Sequence, residues 1–274
     1  MNAFMKALRK NSVCIISAFL ILTASLITIA LLSNHHFFSA SSDTSDGLRY
    51  LTASEKADPS TADNFLREKK KSLAATGYTT KEIAAIKDDI LNDRSDVFSL
   101  FKDYVILGDS RALGFSHYKY LDYSRVLAGG GDTILKVRER MDKIKNLDPS
   151  YIYLCYGVND AGRNIGETPE GYADEVLAVI QELEKALPDA KIYYSSIIWI
   201  SDQAAINFPP WAKIYDYNVT CKTMCTDNNI RYIDNEAICA KLKEEKMWSG
   251  DGIHLSKSFY KLWAQNLYLA TLEG

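Results

Sequence analysis

A Gly-Asp-Ser triplet at residues 108–110 could supply a nucleophile. It follows an apolar run and precedes a helical pattern, so a tight glycine turn would expose the Ser110 hydroxyl where a helix starts. The free amides of a first helical turn favour a negative charge that develops beside that hydroxyl. Serine is also a common helix N-cap, so the triplet needs partners before it indicates catalysis.

A serine nucleophile needs a base, and the chain contains four histidines. His35 and His36 adjoin a long apolar run. His117 lies about 10 Å beyond the serine on the same predicted helix. The fourth is His254, and Asp251 precedes it by three residues on the same predicted loop. The aspartate can accept a hydrogen bond from Nδ1, which selects the tautomer and stabilises the imidazolium. An isolated Asp-x-x-His is more often a loop or helix-cap pair.

Acyl transfer also needs donors for the oxyanion of its tetrahedral intermediate, each worth about 3 kcal/mol. Gly131 could present a main-chain amide at a point where a side chain would obstruct the substrate. Asn159 could add its side-chain amide, and Ser110 its own main-chain amide. A glycine or an asparagine taken alone is more often a turn residue.

The elements that must position these residues follow from the hydrophobic pattern. After Asp103, short apolar runs alternate with longer amphipathic stretches, which predicts a parallel sheet covered by helices on both faces. The predicted strands are residues 104–107, 125–128, 151–156, 191–200 and 231–233, and the predicted helices are residues 112–120, 133–146, 170–187, 211–227 and 257–272. In open α/β sheets ligands bind beyond the carboxyl ends of the strands. Ser110, Gly131 and Asn159 each follow a predicted strand, so we expect them to converge.

The candidate residues together form four blocks that resemble the SGNH hydrolases, also called the GDSL esterase family. In chain order the blocks are Gly108-Asp109-Ser110, the glycine before Asp132, Gly157-x-Asn159-Asp160 and Asp251-x-x-His254. Their order and their positions at strand ends fit over about residues 103–274.

The resemblance implies a three-layer α/β/α hydrolase with a flavodoxin-like parallel sheet of five strands. It also implies that Ser110 is the nucleophile, His254 the base and acid, and Asp251 the residue that orients the imidazole. The Ser110 amide, the Gly131 amide and the Asn159 side chain would form the oxyanion hole. No metal and no organic cofactor are expected.

One position departs from the family pattern, because Arg111 stands where the family name has leucine. A cation at a helix N-terminus is electrostatically disfavoured, so it needs an anionic partner. That partner is either a group on the substrate or a carboxylate of Asp160 or Asp132. The candidate pocket residues are Arg111, Asp160, Trp211 and Trp248. The tryptophans could wall an acyl or sugar pocket, although a Pro-Pro-Trp run can equally start a helix.

The N-terminal segment predicts a membrane anchor. Residues 13–32 carry no charge, and a helix of twenty residues is about 30 Å long, the thickness of a bilayer core. Lys6, Arg9 and Lys10 precede it, which predicts a cytoplasmic tail over residues 1–12 and a domain on the outer side. A cleaved secretory signal is the alternative. A polar linker over residues 33–60 and a helical extension over residues 61–100 would follow, including helices at 62–75 and from Thr79 or Thr80 to about Leu91. The hydrolase domain would then occupy residues 101–274.

Charge and cysteine content limit the remaining function classes. The chain has 32 basic and 35 acidic side chains, and the three basic residues of the tail leave 29 against 35 for the rest. This balance argues against nucleic acid as a partner. Cys221 and Cys225 match no structural zinc site well, and they are either packed free thiols or partners for a disulfide with Cys239.

The sequence therefore predicts a membrane-anchored extracytoplasmic serine esterase that acts on small O-acyl groups, with acetyl esters of carbohydrate or cell-envelope polymers expected first. Three alternatives remain open. They are an O-acyltransferase onto an envelope polysaccharide, a lysophospholipase or thioesterase acting on lipid esters, and a non-catalytic binding module. The sequence does not indicate an oligomeric state.

Overall fold

The parallel sheet places the ends of its first three strands side by side. The computed structural model describes residues 78–273, in which five strands pair in the order β2-β1-β3-β4-β5, the flavodoxin-like order. The strands are β1 Tyr104–Gly108, β2 Val126–Ala128, β3 Tyr151–Cys155, β4 Lys191–Ser195 and β5 Arg231–Ile233. Gly108 is in register with Ala128 on one side and with Cys155 on the other. The segments that follow these strands therefore share one edge of the sheet.

Helices connect the strands and cover both faces of the sheet. They are α1 Thr80–Leu91, α2 Val97–Leu100, α3 Ser110–His117, α4 Lys136–Leu147, α5 Val158–Gly162, α6 Pro169–Ala186, α7 Asp202–Asn207, α8 Ile214–Asp227, α9 Glu236–Glu244 and α10 Phe259–Glu273. Short 3₁₀ turns at Tyr123–Arg125 and Pro209–Lys213 precede β2 and α8.

Each strand contributes side chains to two separate hydrophobic cores. In β1, Val105 and Leu107 pack with α4, α6 and α8, whereas Tyr104 and Ile106 pack with α1, α2, α3, α9 and α10. Strands buried on both faces read as continuous apolar runs, which is why the sequence pattern identified them. The predicted three-layer α/β/α fold with a five-stranded parallel sheet is confirmed.

The helix that precedes the sheet docks on the last helix. Thr79 caps α1 in a reciprocal arrangement with Glu82, because each side chain accepts a hydrogen bond from the other residue's main-chain amide. Gln265 Nε2 of α10 donates to the Ile90 carbonyl at 3.0 Å.

The described residues do not include several predicted N-terminal segments. These are the tail, the apolar span at residues 13–32, the linker and the helix at residues 62–75. Between residues 78 and 273 no helix is both long enough and apolar enough to cross a bilayer.

The fourth strand is shorter than the pattern predicts. β4 ends at Ser195 rather than at residue 200, because the main chain of Ile197 bonds to the side chain of Asn218 instead of to a neighbouring strand. These two bonds, of 2.7 and 2.9 Å, replace the partner that the short strand β5 cannot provide. The apolar character of residues 196–200 reflects burial beyond the sheet.

The four cysteines of the described region are free and buried. Cys221 and Cys225 belong to one core and Cys239 to the other, so the sheet separates them. The disulfide alternative is therefore wrong in this structure. Burial raises the pKa of each of these three thiols to about 12, which keeps them protonated.

Candidate active site

The turn between β1 and α3 exposes Ser110 at the start of the helix. Asp109 caps α3 by accepting the Arg111 amide at 2.8 Å. A Cβ on Gly108 would lie 2.4 Å from the Ala112 Cβ and 2.7 Å from the Cys155 carbonyl oxygen, so only glycine permits this turn. The Ser110 amide, first in the helix, has no intrahelical acceptor and remains free for a ligand.

Three side chains from distant parts of the chain form one line of hydrogen bonds. Ser110 Oγ lies 2.9 Å from His254 Nε2, and His254 Nδ1 lies 2.5 Å from Asp251 Oδ2. The serine and the histidine are 144 residues apart in sequence. The arrangement is that of a nucleophile, a base and the group that orients the base.

Asp251 holds both the imidazole and its own loop. Its Oδ1 accepts the main-chain amides of Ile253 and His254, each at 2.9 Å, which leaves Oδ2 for the ring. Partial burial opposes ionisation, but the hydrogen bonds from His254 and Ile253 outweigh it and lower the pKa of Asp251 to about 2. The carboxylate is therefore ionised throughout the neutral range.

Sequence reasoning missed the residues that fix this loop against the rest of the domain. Gly252 adopts φ +71°, and its carbonyl accepts the Ser201 amide at 2.8 Å. A Cβ on Gly252 would lie 2.0 Å from Ser201 Oγ, so the loop can approach α7 only with glycine here. The glycine between Asp251 and His254 was the available signal.

The two remaining oxyanion-hole candidates meet at the ends of β2 and β3. Asn159 Nδ2 donates to the Asp132 carbonyl at 3.0 Å, which ties the asparagine to the loop that carries Gly131. An amide nitrogen has two protons, so this bond leaves one for a ligand. Gly131 adopts φ +75°, a conformation that favours glycine. Asp132 is held in turn by an ion pair with Arg140.

A family comparison decides what kind of protein has this arrangement. The model of the GDSL-like lipase/acylhydrolase family matches residues 106–262, more than half of the chain. The chain belongs to this family. It is a serine ester hydrolase of the GDSL type.

Several solved structures are similar to this acylhydrolase at low sequence identity. The lipase/acylhydrolase from Enterococcus faecalis is 16% identical, with 63% of this chain and 96% of that chain covered and a TM-score of 0.50. A GDSL-like lipase from Bacteroides thetaiotaomicron is 13% identical, with coverage of 68% and 97% and a TM-score of 0.48. A catalytic mutant of an acetylxylan esterase from Geobacillus stearothermophilus is 13% identical, with coverage of 61% and 92% and a TM-score of 0.46. No curated protein sequence matches the chain.

Arg111 of the acylhydrolase does not line a pocket. The side chain is almost fully buried, with Nε 3.6 Å from Asp109 Oδ1 and Nη1 donating to the Ile198 carbonyl at 2.8 Å. The anionic partner is thus the capping aspartate of its own helix, and not a substrate, Asp160 or Asp132. The cation is tolerated at this helix start because that carboxylate faces it.

The prediction that Asp160 lines the substrate pocket is also wrong, because this residue lies beneath the site. It is fully buried, and its Oδ1 accepts the Ile134 amide at 2.8 Å, which joins the loop after β2 to α5. Burial raises the pKa of Asp160 to about 7, against the effect of that hydrogen bond. The residue supports the loop that contains Gly131, and its side chain is not exposed to the site.

The two tryptophans flank the site from different elements. Trp211 Nε1 donates to the Val158 carbonyl at 2.9 Å, next to Asn159 on α5. Trp248 Nε1 donates to the Trp199 carbonyl at 3.1 Å, and its main chain pairs with Leu255 just after His254. Both indoles are half-buried, and their contact with a substrate stays a prediction.

The acylhydrolase places one exposed cation at Gly131 that the sequence reasoning overlooked. A Cβ on Gly131 would lie 2.8 Å from Nη2 of Arg163, which is the C-cap residue of α5. Its position four residues after Asn159 was the only signal in the sequence.

Within residues 78–273, no group of three or more His, Cys, Asp or Glu side chains could hold a metal ion.

Proposed function

We propose that this acylhydrolase is an extracytoplasmic esterase that removes small O-acyl groups, acetyl groups foremost, from carbohydrate or cell-envelope polymers. The hydrogen-bonded line from Ser110 through His254 to Asp251 carries the proposal. It supplies a nucleophile, a proton acceptor and a fixed negative charge in the geometry that acyl transfer requires.

In the proposed reaction, Ser110 Oγ attacks the ester carbonyl while His254 Nε2 takes the hydroxyl proton. Asp251 stabilises the resulting imidazolium through Nδ1. The carbonyl oxygen becomes an oxyanion that accepts hydrogen bonds from the Ser110 amide, the Gly131 amide and the Asn159 side chain. Collapse of this intermediate breaks the bond to the alcohol oxygen, which takes the proton from His254. A water then attacks the acyl-enzyme, with His254 again as the base, and releases the carboxylic acid and free Ser110.

The aromatic residues beside α5 support a sugar as the alcohol part of the ester. A Cβ on Gly162 would lie 2.7 Å from Trp211 Nε1, so the indole packs directly on the helix that carries Asn159. Phe208 meets Trp211 edge to face at a centroid distance of 4.7 Å and is partly exposed. Rigid aromatic faces of this kind suit sugar rings, which have apolar sides and polar edges. The extracytoplasmic location is supported by the uncharged run at residues 13–32 and the basic residues before it.

Covalent labelling tests the role of Ser110. A fluorophosphonate probe should label the native protein, and Ser110→Ala should abolish labelling and lower kcat by about 10⁴- to 10⁶-fold on aryl esters. Thr226→Ala is a matched control, because its exposed hydroxyl only bonds back to the Lys222 carbonyl of its own helix. A native protein that the probe does not label would favour a binding module.

A series of aryl esters tests the acyl group. We expect kcat/KM to be highest for acetyl and to fall with chain length. A much faster turnover of octanoyl than of acetyl would overturn the proposed substrate class and favour a lipid ester. Product analysis with a polysaccharide acceptor separates hydrolysis from transfer, since free acid alone indicates hydrolysis and an acylated acceptor indicates transfer.

A further inference from the structure

We propose that Arg163 recognises a carboxylate or phosphate on the alcohol part of the substrate, so that the preferred substrates are acyl esters of acidic carbohydrate. The inference rests on the proposed function, because it places the anion beside the ester that Ser110 attacks. It deepens that function by assigning a charge to the acylated polymer.

Arg163 contacts both segments that carry the proposed oxyanion donors. Its Nη2 occupies the space where a side chain on Gly131 would begin, 2.8 Å from the ideal Cβ position. Its main-chain amide donates to the Asn159 carbonyl at 2.9 Å, which fixes the start of the side chain relative to α5. A carbonyl oxygen bound by Gly131 and Asn159 would therefore have the guanidinium close by.

The Arg163 guanidinium has no ion-pair partner among the described residues. Three other charged pairs at this edge are internal to the protein: Asp132 with Arg140, Asp251 with His254, and Arg111 with Asp109. Arg163 is exposed, and within residues 78–273 no carboxylate lies within ion-pair distance of it. A ligand anion could bind there without displacing an internal partner.

The chemistry of guanidinium favours an oxyanion ligand with two equivalent oxygens. Its planar fork donates two parallel hydrogen bonds to a carboxylate or a phosphate, which a lysine cannot reproduce. An acetyl group carries no ionisable group, so the anion must belong to the alcohol part of the ester. A uronate or a phosphorylated sugar carries such a group on the same sugar ring as an acylated hydroxyl.

Matched esters test the proposal with the full-length protein. The substrates are an O-acetylated methyl glucoside, the corresponding methyl glucuronoside and the corresponding glucoside 6-phosphate, with acetate release as the readout. The glucuronoside and the phosphate separate the two sources of the anion. Arg163→Gln and Arg163→Lys are compared with the control Arg94→Gln. Arg94 is an exposed residue after α1 that pairs with Asp88 and Asp89 of that helix, so the control removes a charge of the same kind.

The measured quantity is the ratio of kcat/KM for each acidic ester to kcat/KM for the neutral ester. We expect Arg163→Gln to lower this ratio by about 10-fold or more for at least one acidic ester, mostly through KM, as for the loss of a charge-assisted hydrogen bond. Arg163→Lys should give an intermediate ratio, and Arg94→Gln the native ratio.

An equal ratio in native protein and Arg163→Gln overturns the inference while the proposed function stands. An equal fall on all three esters also overturns it, because it would make Arg163 a further donor to the oxyanion. If the native protein cleaves none of the esters and resists fluorophosphonate, the proposed function fails and the inference fails with it.

Discussion

Two aspartates of the candidate site illustrate how environment sets the role of one side-chain type. Asp251 is partly exposed and receives hydrogen bonds from His254 and Ile253, so its pKa lies near 2 and it stays a carboxylate. Asp160 is fully buried and its Oδ2 has no hydrogen-bond partner within the described residues, so its pKa rises to about 7. Asp251 can therefore stabilise an imidazolium, whereas the contribution of Asp160 to stability depends on its protonation state.

At the residue scale, this difference predicts the pH dependence of stability. A carboxyl whose pKa is raised from 3.8 to about 7 by folding binds more protons in the native state, so the free energy of unfolding falls as pH rises from 4 to 7. At about 1.4 kcal/mol per pKa unit the loss reaches a few kcal/mol. Asp160→Asn keeps an acceptor for Ile134 and cannot ionise, so urea unfolding at pH 4, 5.5 and 7.5 should show a shallower decline for it. Parallel curves for the native protein and the variant would contradict the prediction.

At the scale of elements, the nucleophile helix is positioned by close contact with the last helix. Gly114 of α3 faces Tyr260 of α10, whose hydroxyl donates to the Arg111 carbonyl at 2.7 Å. That bond lies one residue beyond Ser110, so α10 holds the start of α3 in place. Tyr260 also packs edge to face against Phe115, with ring centroids 5.1 Å apart. The position of the serine hydroxyl therefore depends on the contact between α3 and α10.

This contact predicts that Gly114→Ala destabilises the protein. Alanine gains about 1 kcal/mol in helix propensity, but its Cβ would lie 1.8 Å from the Tyr260 hydroxyl, and overpacking of this kind costs about 1 to 3 kcal/mol or more. We expect a net loss of about 1 to 2 kcal/mol in urea unfolding, together with a lower kcat/KM because α3 must shift. Gly250→Ala is the control, since no atom lies within 4 Å of its added Cβ. Equal stability of the two variants would refute the packing argument.

At the scale of the whole molecule, the sheet separates two cores and collects the functional groups at one edge. Ser110 and Asn159 follow β1 and β3, Gly131 follows β2, and the Asp251–His254 loop is held to the same edge through Ser201. An anchor at residues 13–32 stays a prediction from the sequence, because these residues lie outside the described part of the chain.

The predicted anchor can be tested by expressing the full-length protein in a bacterial host. We expect the full-length protein to remain in the membrane fraction after alkaline carbonate extraction, because twenty uncharged residues are enough to span the bilayer. Protease added outside intact spheroplasts should degrade the hydrolase domain, since the basic residues retain the N-terminus inside. A shortened protein released in soluble form would instead indicate a cleaved signal.

The features that could be predicted from the sequence are those with local causes. The strands β1, β3 and β5 were located by apolar runs that packing on both faces requires. The start of α1 was predicted at Thr79 or Thr80 because capping acts over three residues, and the structure has Thr79 as the cap. The order of the blocks relative to the strands placed Ser110, Gly131 and Asn159 at one edge, since parallel strands end together.

What failed depended on partners far away in the chain. The end of β4 at Ser195 follows from Asn218, and the burial of Arg111 follows from the Ile198 carbonyl, 87 residues away. The place of Arg163 over Gly131 depends on how two loops pack. By itself the sequence determined the fold class and the chemical groups of this acylhydrolase, because periodicity and turn chemistry are written in neighbouring residues. Only the tertiary structure decided which charges are buried, paired or free, because burial and the distances between side chains arise when remote segments pack together.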